Sequence, residues 1–303
     1  AAPFTGKTID FQDPQGPGAR PPTDAVSLNQ LPGPPRGSCN VFYIWIFACD
    51  EKTAQLVRDG IAPFIAAVND IFRAAGVTDF VYEPHIIIPP KNHHICAGAS
   101  VEDRSAYGDA LAKHHTAFRP GDIPLFLIDD RADYRYRWFM AFTQSYRGVS
   151  YSVSYPSIFL KETLLKDVSD PDNIFASDFR YDYGFSDAKI RELIQLTLAH
   201  EVKHYIHNDV GIIQNIYDAT AHLEAIASND GHLNMPGPVR TIASQKAPLT
   251  WGPALTPKEA QNIISVAGAA RLACSTGRRA SETDLQRGLR PPTTPRPTPA
   301  VAP

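Results

Sequence analysis

The residues with the clearest chemical reading are His200, Glu201 and His204, in the run Thr197-Leu198-Ala199-His200-Glu201-Val202-Lys203-His204-Tyr205. Residues four apart on an α-helix lie one above the other on one face. Two imidazoles at that spacing can bind one zinc ion, and the carboxylate between them can poise a metal-bound water. The pattern therefore predicts metal-assisted hydrolysis, with His200 and His204 as ligands and Glu201 as general base. A polar patch of hydrogen-bonding histidines would use the same residues without a metal. What favours the metal is the density of functional groups around the motif and a suitable third ligand after it.

The elements needed to position these groups can be read nearby. Ser186 is a helix N-cap residue, and neither Gly nor Pro occurs from Asp187 to Val210. Ile190, Leu193, Ile194, Leu198, Val202 and Ile206 recur at helical spacing, which predicts a helix buried on one side with the histidines on another. A catalytic zinc takes three protein ligands and leaves one position for water. His207 shares the helical face but lies about 10 Å along the axis from His200, too far to share one ion. Asp209 sits near the helix end. His222 and Glu224 fall in the next predicted helix, Asp218 to Ser228, where they point about 200° apart and cannot both face the metal. Glu224 is chosen because an anionic ligand offsets part of the zinc charge, and because Ala221, Ala225 and Ser228 permit close helix packing.

His200-Glu201-x-x-His204 followed by Glu224 in His222-Leu223-Glu224-Ala225 resembles the gluzincin arrangement of zinc metallopeptidases. The stretch from Leu223-Glu224-Ala225 to Leu233-Asn234-Met235-Pro236 also loosely resembles the corresponding segment of ImmA/IrrE-type metallopeptidases. The resemblance covers about residues 190–236 and implies a zincin fold in which a second helix supplies the glutamate. Ser228 stands where gluzincins often place Asp, with Asp230 two residues further on. The metzincin pattern is broken by His207 and Val210.

Composition bounds the remaining possibilities. Hydrophobic residues make up 43% and charged residues 20%, which supports a sizeable core. A net charge of −3 gives no electrostatic case for nucleic acid or an anionic membrane. No apolar run reaches the roughly eighteen residues of a spanning helix. The Ala1-Ala2 start fits a mature end left by signal-peptide removal, so a secreted or extracytoplasmic protein is expected. None of the ten Asn lies in an N-x-S/T sequon, which favours a bacterial or viral source. Cys39, Cys49, Cys96 and Cys274 allow three complete pairings; an extended run between Cys39 and Cys49 would keep those two from joining each other.

Three regions follow. Residues 1–37 and 278–303 are proline-rich arms, expected to add little to core stability and available to an assembly partner. Residues 38–277 form the globular part. Val41–Ala48, Phe80–Ile88 and Ile123–Ile128 read as strands, with Trp138–Phe142 as a further one. Lys52–Ala75 and Val101–Phe118 read as helices, and Thr256-Pro257-Lys258-Glu259 starts a last helix running to about Ala273. Val149–Tyr155 alternates small polar and larger residues and is assigned as a half-exposed strand at the cleft edge, where an extended peptide would pair; a core or opposite-edge strand fits equally. Lys166–Tyr183 reads as a lid or surface loop. Tyr134–Trp138, His93-His94 and His114-His115 read as surface features.

The expected fold is α/β (α+β), a zincin-like mixed twisted sheet with an active-site helix and a second ligand-bearing helix. The expected function is a zinc-dependent peptidase acting on a peptide or protein substrate. Tyr155, Tyr217 and His222 are alternative oxyanion donors. The rival reading keeps the zincin fold in a non-catalytic binding or structural component of an assembly.

Overall fold

The structure is a computed structural model, and it describes residues 28, 31–34, 37–90, 93–96, 98–129, 141–145, 156–208 and 257–276. Among the described residues, five strands form one sheet: β1 (Val41–Phe47), β2 (Val81–Ile87), β3 (Ile123–Ile128), β4 (Ala141–Ser145) and β5 (Pro156–Lys161). Their order is β2-β1-β3-β5-β4. The first four of that order run parallel, and β4 pairs antiparallel with β5 at the edge. The six helices among the described residues are α1 (Glu51–Gly60), α2 (Ala62–Ala74), α3 (Val101–His114), α4 (Ile174–Tyr183), α5 (Asp187–Asn208) and α6 (Pro257–Ser275).

Alternation along the strands sorts their side chains into two cores. Phe42, Ile44, Ile46, Leu125, Ile158 and Leu160 meet the apolar residues of α2, α4, α5 and α6 on one face. Tyr43, Trp45, Phe47, Phe126 and Phe159 meet Tyr107 and Leu111 of α3 on the other. Burial on both faces is why β1 and β3 read as unbroken apolar runs. The fold is thus α/β with a mixed sheet, as expected at that level.

Several local expectations change. The helix read over Lys52–Ala75 is two helices that part at Ile61. Pro63 has no N–H to continue a helix and stands in the first turn of α2. A Cβ on Gly60 would lie 2.4 Å from the carbonyl oxygen of Leu165, so this glycine admits the 3-10 turn Glu162–Leu165. The third helix stops at His114 because His115 is extended, with ψ 124°. Lys166–Tyr183 is not all loop. Asn173 accepts from the Ala176 N–H at 3.0 Å and starts α4, and Gly184, at φ +65°, ends it. The proposed cleft-edge strand Val149–Tyr155 lies outside the described residues, whereas the antiparallel outer strand among them is β4.

The cysteines pair as Cys39–Cys274 and Cys49–Cys96. The first bond joins the approach to β1 with the end of α6, and the second joins the exit of β1 with the segment after β2. The inner end of the N-terminal arm belongs to the core: Leu28 is 0% and Leu31 7% exposed. The arm, expected to add little to core stability, thus contributes two buried side chains. His115, read as a surface residue, is buried edge-on against Trp45.

Candidate metal centre

The helix that carries the motif, α5, begins as its sequence requires. The Lys189 N–H donates to Ser186 Oγ at 3.3 Å, and the Ile190 N–H to the Ser186 carbonyl at 2.9 Å. Arg180 near the end of α4 donates through Nε and Nη2 to Asp187 Oδ1 at 3.1 and 2.7 Å, which fixes the corner between the two helices. Acidic Asp187 in the first turn also suits the positive end of the helix. Ile190, Leu193, Ile194 and Leu198 are buried, and the helix packs against α2, α4, α6, β4 and β5. The helix that carries the motif therefore lies against the antiparallel end of the sheet.

One-sided burial does not hold at the motif itself. Thr197, Leu198, Ala199, His200, Glu201 and Val202 are all buried. Six consecutive residues sweep more than a full turn at about 100° each, so the helix is enclosed on every side there. His200 is 7% and Glu201 5% exposed. A carboxylate and an imidazole withdrawn from water in this way require compensating charge or hydrogen bonds. Thr197, one turn before Glu201, donates from Oγ1 to the Leu193 carbonyl at 3.4 Å. His204 lies in the backbone of α5, one turn and about 6 Å beyond His200.

The structure thus places His200, Glu201 and the backbone of His204 within about one turn of a single helix, enclosed over residues 197–202. Glu224, His222, Asp209, Tyr217 and Tyr155 lie outside the described residues. Among the described residues, no three His, Cys, Asp or Glu converge as a metal would require.

Two polar groupings escaped the sequence reading. Lys161 is buried at the end of β5. Alternation from Phe159 places it on the α3 side of the sheet, away from α5, so it is not part of the candidate metal centre. Near the start of α3, the rings of His93 and His94 stack at 4.5 Å and lie edge-on to Tyr107 at 5.3 and 5.4 Å. Burial lowers the pKa of His93, helped by the neighbouring His94. Partial desolvation also lowers that of His94, which stays open to solvent on one side, against an opposing pull from Asp103. Burial alone raises the Tyr107 phenol well above its usual range. The adjacent histidines were visible in the sequence; what hid the grouping was Tyr107, which only the turn after β2 brings to them.

No family model matches the chain, and neither a curated protein nor a solved structure matches it.

Proposed function

We propose that this chain is a zinc-dependent peptidase with a zincin-like fold. The observation that carries the reading is the enclosure of His200 and Glu201 on a helix that places His204 one turn further on. The donor set fits zinc: two imidazole positions share one helical face, and a cation offsets the charge of the buried Glu201. His200, His204 and Glu224 would hold the ion. Bound there, zinc supplies a Lewis acid for the scissile carbonyl and lowers the pKa of a water molecule. Glu201 accepts the proton of the attacking water and passes it to the leaving amine. The low-dielectric surroundings strengthen the interactions of Glu201 and limit competing proton exchange with bulk water.

The substrate is an extended peptide. Support comes from the position of β4, an antiparallel outer strand among the described residues, directly over α5. An outer strand offers unpaired backbone donors and acceptors to a second chain. Two disulfides fit folding in an oxidising compartment, which agrees with an extracytoplasmic site of action. The complete burial of residues 197–202 also favours a second reading, a closed structural zinc in a non-catalytic assembly component.

One experiment separates the two. Purified protein should carry about one zinc per chain and cleave unstructured peptides. Glu201→Gln should retain the zinc and the fold while losing hydrolysis by a factor of about 100 or more. Zinc without hydrolysis in the parent leaves the structural reading; a variant as active as the parent removes Glu201 from the mechanism.

A further inference from the structure

On the sheet face opposite α5, the chain binds part of itself in the way a receptor binds a peptide. Leu28 and Leu31 of the arm are buried among Tyr43, Trp45, Phe118 and Leu111. The Leu31 N–H donates to the Leu28 carbonyl at 3.1 Å, so the two leucines form one turn-shaped anchor. Two prolines follow, Pro32 and Pro34. Proline fixes its own φ and biases the residue before it towards extended backbone, so Leu31-Pro32-Gly33-Pro34 is a stiff extended rod even before it docks. Such a segment loses little conformational entropy on binding.

The protein side of the contact reads this rod through its carbonyls. His85 Nε2 lies 2.8 Å from the Pro32 oxygen, and His115 Nε2 lies 3.2 Å from the Leu31 oxygen. A carbonyl can only accept, so both ring nitrogens donate. For His115 the tautomer is set independently, because the Ala117 N–H donates to its Nδ1 at 3.1 Å. Both imidazoles stand edge-on to the Trp45 indole, at 5.0 and 4.9 Å. Between the prolines, a Cβ on Gly33 would come 2.4 Å from the Ala117 Cβ, so the groove excludes any side chain there. Apolar anchors, a proline-stiffened backbone, aromatic walls and side-chain donors aimed at consecutive carbonyls are the physical elements of proline-rich peptide recognition.

We propose that this α3-side groove is a receptor for a proline-rich segment of the form Leu-x-x-Leu-Pro-Gly-Pro, filled in cis by the chain's own residues 28–34. A tethered ligand acts at an effective concentration of about millimolar, so the intact chain excludes the same segment in trans. Once the tether is severed, the arm is held only by its own affinity and can be exchanged for a second proline-rich segment. This inference stands apart from the peptidase reading, since it uses no residue of α5.

The test uses the full chain, folded before it is altered. A specific protease site is inserted between Gly37 and Ser38 and cut in the folded protein, and the products are separated by gel filtration. The severed arm is expected to co-elute with the core and to be displaced by excess synthetic peptide spanning residues 24–37. Arms carrying Leu31→Asp or Gly33→Leu should elute separately, and the peptide with Leu31→Asp should displace at least about tenfold less well. Peptide added to the uncut chain should not bind. An unaltered arm that separates at once from a core of unchanged circular dichroism overturns the proposal. So does displacement that is indifferent to Leu31 and Gly33.

Discussion

Cys39 and Cys274 are bonded across 235 residues with their Cα atoms 5.5 Å apart, so the approach to the first strand and the end of the last helix form one covalent unit. Arg271, one turn before Cys274, reinforces the join by pairing with Asp79 and lying 5.8 Å over the Phe80 ring. Because α6 packs on α5, the bond also braces the helix of the candidate metal centre. Long loops gain most from closure in the chain-entropy view, so Cys274→Ser should cost about 2–4 kcal/mol and lower Tm by roughly 5–15 °C. Cys96→Ser, which opens a loop with a separation of 47, should cost less. Calorimetry of the two variants checks the order. Equal melting of Cys274→Ser and the parent would mean that packing alone holds α6.

Metal analysis tests Glu224 as the proposed third ligand. Glu224→Ala should lower zinc occupancy sharply, because two neutral imidazoles alone make a weak and incompletely neutralised site. His222→Ala should leave occupancy near normal. The reverse pattern would replace the gluzincin ligand set by one with three imidazoles.

Acid should loosen the loop after β2. Both His93 and His94 have folded-state pKa values below the ordinary 6.5, chiefly through partial desolvation. As pH falls, the unfolded chain takes up these protons first, so folding becomes less favourable. The contribution is complete above about pH 6.5 and is lost as pH falls through the lower folded-state values. Thermal melts at pH 7.5 and 5.5 should show a smaller acid-induced drop for the double variant His93→Gln, His94→Gln than for the parent. Equal drops would place the acid sensitivity elsewhere.

A different kind of constraint sits under α3. A Cβ on Gly108 would meet Ser157 Oγ at 2.0 Å, and that hydroxyl is buried without a hydrogen-bond partner among the described residues. Gly108→Ala should therefore destabilise by about 1–3 kcal/mol through overpacking. Ser157→Ala should be neutral or stabilising, since it removes a buried unpaired polar atom. Urea titration of both and of the double variant should show Ser157→Ala recovering part of the Gly108→Ala loss; strictly additive effects would mean that the two sites do not touch.

The parts of the fold that were legible are those where one local signal suffices. The apolar runs of β1 and β3 announced strands buried on both faces, and Ser186 with a Gly- and Pro-free stretch announced α5. Strand β5 escaped because Pro156 heads it and Lys161 closes it, which breaks the apolar signature at both ends although the sheet buries the whole strand. Proline is tolerated as the first residue of a strand, and Lys161 is buried by its tertiary surroundings. Asn173 and Gly184 did encode the ends of α4, but its polar and aromatic composition masked them. The motif positions at 200, 201 and 204 were readable from spacing alone. Their enclosure was not, because periodicity reports the stripe a helix turns towards one neighbour, and α5 has neighbours on several sides.

Pro84 lies in the middle of β2, opposite Ile44 of β1. Proline cannot donate to a ladder, and it is tolerated there because β2 has a sheet neighbour on one side only among the described strands. The two margins of the sheet are therefore unequal: the β2 margin is missing a rung, while the margin at β4 carries no proline. Copies of this protein cannot stack β2 against β4 in an endless head-to-tail ribbon with every rung in place. The β2 margin is also closed at Tyr82, whose N–H donates to Asn69 Oδ1 at 2.8 Å and whose carbonyl accepts from Asn69 Nδ2 at 3.0 Å. The sheet margin furthest from the motif helix is thus closed to a further in-register strand at two nearby positions, Tyr82 and Pro84.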